Sequence, residues 1–80
     1  SFHGRFRLVD QRLVGERHLK LVLQTEDGSV SVDGIAFNVD LEQWPNPTIR
    51  FADMAYRLDV NEFRGRESLQ LMVEHLVAVG

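Results

Sequence analysis

Eighty residues with 44% hydrophobic and 26% charged side chains can enclose one hydrophobic core, because two cores in so short a chain would each bury too little apolar surface to offset chain entropy. The absence of cysteine excludes a disulfide framework and a thiolate metal site, and no apolar run approaches the ~20 residues of a membrane span. A net charge of −3 argues against a uniformly basic nucleic-acid binder, and with no signal-peptide pattern at the start, one soluble intracellular domain over residues 1–80 is expected.

The elements follow from two-residue alternation. Phe2, Gly4, Phe6 and Leu8 alternate with His3, Arg5 and Arg7, which predicts a first strand over about 2–13 whose glycine suits a bend. Leu19, Leu21 and Leu23 share one face while His18, Lys20, Val22 and Gln24 share the other, the pattern of a half-buried second strand over 18–24. After the Glu26-Asp27-Gly28 turn, Val30 and Val32 lead to Ile35 and Phe37 on the opposite parity. A third strand over 29–38 with a bulge or bend at Asp33-Gly34 accounts for the switch. Leu41 to Trp44, ahead of Pro45 and Pro47, allows one helical turn before proline stops it. Ala52, Met54, Tyr56, Leu58 and Val60 alternate with Asp53, Arg57 and Asp59, giving a fourth strand with its even positions inward. The Asn61–Gly65 turn leads to a fifth, where Leu69, Leu71 and Val73 oppose Ser68, Gln70, Met72 and Glu74, extending to Val77. A helix over 67–77 is the competing reading of that segment.

Five strands with one helical turn between the third and fourth is the order of an all-β, five-stranded Greek-key barrel of the oligonucleotide-binding type (OB-fold). An SH3-like barrel is the nearest alternative. OB-folds bind across strands two and three and between the loops joining strands one to two and four to five. Arg17, His18 and Lys20, with Arg12, fall on or beside the first loop and strand two, while Phe63, Arg64 and Arg66 fall on the second loop. Both lips are therefore basic, and the two hairpins are expected to share one rim. Cations tracking phosphates and an aromatic face for a base, Phe63, are what a single strand requires. The plainer readings are that the arginines are solvated and that Phe63 packs on the barrel rim. Tyr56 reads as core, Trp44 as a plug, and Arg57 either as a phosphate contact or as the partner of Asp53 or Asp59. His3, His18 and His75 lack ligand spacing, the carboxylates form no two-metal motif, and no nucleophile is paired with a base.

The stretches VGERHLKLVLQ (14–24), DGIAFN (33–38) and AYRLDVNEFRGRESLQLMVEHL (55–76) resemble the end of the RecJ exonuclease family, in this order and over nearly the whole chain. The resemblance implies a C-terminal piece of a larger bacterial, cytoplasmic enzyme that degrades single-stranded DNA from the 5′ end in recombination and repair with manganese or magnesium. It further implies that these residues hold none of the catalytic motifs and that the barrel helps grip the strand. Carried onto matching positions, the DNA-binding candidates are Arg17, His18, Lys20, Arg57, Phe63, Arg64 and Arg66, chosen by charge and parity. Leu19, Leu21, Leu23, Leu58, Leu69 and Leu71 are expected in the core. The alternative is a protein-interaction module that docks the catalytic core or the single-stranded-DNA-binding protein.

Overall fold

A computed structural model describes all of residues 1–80, which form five strands: β1 (Phe2–Val14), β2 (His18–Thr25), β3 (Ser31–Ala36), β4 (Phe51–Phe63) and β5 (Arg66–Val79). They close into a barrel in the order β1-β2-β3-β5-β4, with β4 returning to β1. Every pairing is antiparallel except that of β3 with β5. Closure leaves the barrel proper without an open sheet edge, and a helix over 67–77 is absent because that segment is the middle of β5.

Leu19, Leu21 and Leu23 of β2 are completely buried, joined by Phe6, Leu8, Ala36, Ala52, Met54, Leu71 and Val73. Burial of each leucine contributes about 2 kcal/mol from apolar area. Two irregularities set which side chains turn outward. A bulge between Leu8 and Asp10 reverses parity in β1, so Asp10, Arg12 and Val14 pair with the outward Val22, Lys20 and His18. The second lies in β5, where the register passes from Ala55↔His75 to Tyr56↔Val73 and leaves Glu74 as the extra residue.

The bulge expected at Asp33-Gly34 is not there, since β3 pairs without interruption from Ser31 to Ala36. Its parity switch has another cause. Val32, Gly34 and Ala36 face inward, while Ile35 lies outward beside Lys20 and Met72. Gly34 is small because a Cβ there would stand 2.9 Å from Leu23 Cδ1. Where one helical turn was expected, residues 40–44 form a single hydrogen-bonded turn, the Gln43 and Trp44 N–H groups both donating to the Asp40 carbonyl at 3.0 and 2.9 Å. Trp44 is 3% exposed and belongs to the core. The following segment is tied to β1 by Gln11, whose amide donates to the Asn46 carbonyl and accepts from the Asn46 N–H, both at 2.8 Å.

β4 and β5 outgrow the barrel. β1 reaches only to the Phe2↔Tyr56 pair, and β3 meets β5 only from Gln70 onward. Residues 57–69 thus make a two-stranded arm with open flanks. Leu58 and Leu69, expected in the core, are 51% and 47% exposed, because alternation marks a face of the ribbon but not the length over which a neighbour covers it. The connection is also tighter than the expected Asn61–Gly65 turn. Asn61, Glu62 and Phe63 belong to β4, and only Arg64 and Gly65 link the strands, with φ of 53° and 77°. Positive φ at both positions is the two-residue hairpin turn whose twist matches that of the strands.

Candidate nucleic-acid interface

Cross-strand register arranges the outer surface in rows. One row runs through Arg12 of β1, Lys20 of β2, Ile35 of β3, Met72 of β5 and Arg57 of β4, each residue paired directly with the next. At a strand spacing of ~4.8 Å the row is ~19 Å long. Arg12 and Arg57 at its ends are exposed, and Lys20, Ile35 and Met72 are half-buried. Cations at three places with apolar side chains between them offer charge to a phosphate backbone and a flat floor to its sugars or bases. Arg57 Nε lies 3.6 Å from Glu74 Oε2, both side chains well exposed, so solvent screening leaves the guanidinium available to a more highly charged ligand. Its expected partners do not take part. Asp53 is bound in a fork by Arg5 across the β1–β4 pair, Nε to Oδ1 at 2.7 Å and Nη2 to Oδ2 at 3.1 Å. That hydrogen bond holds the Asp53 carboxyl below the usual range and raises the Arg5 guanidinium.

The neighbouring row on the side of the β1–β2 loop carries Val14, His18 and, just past β3, Phe37. The His18 and Phe37 rings meet edge to face, with centroids 5.0 Å apart and planes at 72°. His18 Nδ1 accepts a hydrogen bond from the Asn38 N–H at 3.3 Å, which leaves Nε2 to carry the proton in the neutral ring. Phe37 is half exposed, so this braced pair presents an aromatic surface to solvent beside the cations.

Arg17 lies in the β1–β2 loop, its carbonyl accepting from the Val39 N–H. Phe63, 72% exposed, ends β4 directly opposite Arg66. The Arg64 guanidinium stands over the Phe63 ring, 5.3 Å from its centroid, an arrangement worth ~0.5–1 kcal/mol when exposed. The expectation of a shared rim is corrected here. β1 and β4 are antiparallel, so their hairpins leave opposite ends of the strands. Arg66 lies six residues before Met72, which places the arm tip ~20 Å from the basic row along the strands. The structure therefore brings together Lys20 and Arg57, with His18 in the adjoining row, and sets Phe63, Arg64 and Arg66 apart at the tip. Arg12 and Phe37 complete the surface and lay outside the expected set. Their signals were the reversed parity of β1, hidden by its bulge, and the shared parity of Ile35 and Phe37.

Elsewhere, a groove of about 520 Å³ runs over the β1–β4–β5 surface between His3, Arg5, Asp53 and His75. No three histidines and carboxylates stand together as a metal-binding group.

A closed five-stranded barrel with a parallel β3–β5 pair and an outward basic row defines an OB-fold domain. A sequence profile of the RecJ OB domain matches residues 1–75, and the chain belongs to that family. It is 58% identical over 76 residues, 95% of its length, to the single-stranded-DNA-specific exonuclease RecJ of Dickeya dadantii (strain 3937). It is 52% identical over 75 residues, 94% of its length, to the exonucleases of the same name from Salmonella typhimurium (strain LT2) and Escherichia coli (strain K12). The chain spans 13% of the length of each of these relatives.

Proposed function

We propose that the domain is a noncatalytic single-stranded-DNA-binding unit of a RecJ-type 5′-to-3′ exonuclease of the bacterial cytoplasm, acting in recombination and repair. The observation that carries this reading is the register of Arg12, Lys20 and Arg57 in one row. One phosphate backbone lies along that row, over Ile35 and Met72, with bases turned toward His18 and Phe37. Phe63, Arg64 and Arg66 form a second grip for a strand long enough to reach the arm tip, and Arg17 borders the first. Binding is measured by fluorescence anisotropy with a labelled oligothymidine. Three phosphate contacts at a slope of about −0.7 each lower affinity roughly eighteenfold between 50 and 200 mM salt. Binding that ignores salt over this range overturns the reading.

One observation favours a second reading. The other side of the arm carries Leu58 and Val60 beside Leu69, with Val60 59% exposed, and exposed apolar clusters of this kind serve as contact surfaces. In this reading that side of the arm packs on the exonuclease catalytic core of the parent polypeptide. Substituting Val60 and Leu69 with serine would then loosen the domain from the core in limited proteolysis of the full enzyme and leave oligonucleotide binding by the domain unchanged.

A further inference from the structure

On the flank of the basic row away from His18 and Phe37, two residues along every strand, lies a second row of opposite sign. It runs through Asp10 of β1, Val22 of β2, Asp33 of β3, Gln70 of β5 and Asp59 of β4. Two residues of strand separate the rows by ~6.7 Å. The two ion pairs of the domain are Arg5–Asp53 and Arg57–Glu74, so Asp10, Asp33 and Asp59 do not serve to neutralise Arg12, Lys20 or Arg57 by direct pairing. Asp10 and Asp33 are exposed and Asp59 is half-buried.

We infer that this acidic row selects one strand over two. The inference rests on the DNA-binding reading of the basic row. A single backbone seated on Arg12, Lys20 and Arg57 has cations beneath it and lies beside the carboxylates rather than over them. A duplex seated on the same row brings a second line of phosphates across a groove ~6–12 Å wide. On one flank that line meets Asp10, Asp33 and Asp59. On the other flank, contact with His18 and Phe37 requires a free base face, which a paired base does not offer. Repulsion between unit charges in water is about a fivefold effect on affinity at ~4 Å and two- to threefold at ~7 Å. The acidic row thus penalises a second strand lying over it more than a single strand lying beside it.

The test compares the chain with its Asp10→Asn/Asp33→Asn/Asp59→Asn variant, using a labelled 15-nucleotide oligothymidine and a 15-base-pair duplex at 50 mM salt. The preference for single over double strand should fall about eightfold, the cube of a roughly twofold difference per carboxylate. A Glu26→Gln/Glu42→Gln/Glu67→Gln variant makes the same change of net charge away from the row and should leave the preference as it is. An unchanged preference in the aspartate variant, or an equal fall in the glutamate variant, overturns the inference. The Arg12→Ala/Lys20→Ala/Arg57→Ala variant separates this failure from that of the underlying reading. If single-strand binding is indifferent to those three cations, both fall; if it depends on them while the preference stays fixed, only the selecting role falls.

Discussion

The separation of the basic row from the arm tip predicts that the two cation groups respond to different lengths of DNA. The row is ~19 Å long across five strands, which at ~3.4 Å per stacked nucleotide accommodates about six nucleotides. The tip adds ~20 Å along β5, so roughly twelve nucleotides are needed to touch both. With a slope of about −0.7 per phosphate contact, each cation contributes about fivefold to affinity at 0.1 M salt relative to 1 M. Replacing Arg12, Lys20 and Arg57 together with alanine should therefore weaken a six-nucleotide oligothymidine about a hundredfold. Replacing Arg64 and Arg66 should leave that hexamer within twofold of its original affinity. On a fifteen-nucleotide strand the Arg64/Arg66 double substitution should cost about twenty-five-fold. Anisotropy titrations at 0.1 M salt with both lengths and both variants supply the four ratios. A loss of hexamer binding in the double variant as large as that in the triple variant would refute the reasoning, since a six-nucleotide ligand on the row cannot span to the tip.

Leu21→Ala removes a side chain with no exposed surface and should destabilise the barrel by about 2–5 kcal/mol; a guanidinium midpoint that moves by less than the equivalent of 1 kcal/mol would be inconsistent with that packing. Gly65→Ala has open space around the new methyl group but must adopt φ 77°, so a loss of about 1–2 kcal/mol is expected in thermal melts, from backbone conformation alone. Asp27 has its carboxyl pKa lowered to about 2, chiefly by the Ser29 N–H, then by the Ser29 and Thr25 hydroxyls. Its folded value lies below its unfolded one, so the stabilisation is present above about pH 4 and drains away as pH falls toward 2. Carbon-detected titration of Asp27 should give a midpoint near 2, and Asp27→Asn should flatten the acid limb of the stability profile.

Alternation alone revealed the five strands, since Leu19, Leu21 and Leu23 or Leu71 and Val73 leave only one face to bury. Their closure order was legible through the placement of the 40–50 break between the third and fourth strands. Three features were hidden for physical reasons. A bulge has no residue signature, so the outward turn of Asp10 and Arg12 could not be read past Val9. Apolar residues at Ile35 and Phe37 suggested a bulge or bend in the third strand, because alternation does not say which of two apolar parities faces inward. The arm was obscured by the same alternation that revealed the strands, since Leu58, Val60 and Leu69 repeat as a core strand would. The candidate site suffered most. Residue type singled out Lys20 and Arg57, but only pairing partners separated in sequence could show that they stand in one line, or that the arginines near residue 65 do not.

Barrel closure through the β1–β4 pair has a kinetic side. Phe2 meets Tyr56 and Arg7 meets Phe51, so the seam joins residues about fifty positions apart, and β5, the last strand synthesised, fills the remaining gap between β3 and β4. Such nonlocal topology places folding in the milliseconds-to-seconds range typical of all-β domains. On a ribosome, the leucines of β2 would remain uncovered until nearly the whole domain had emerged. Premature termination before residue 66 would leave an open four-stranded sheet in the order β3-β2-β1-β4 and an apolar interior open to water, a product for quality control to remove.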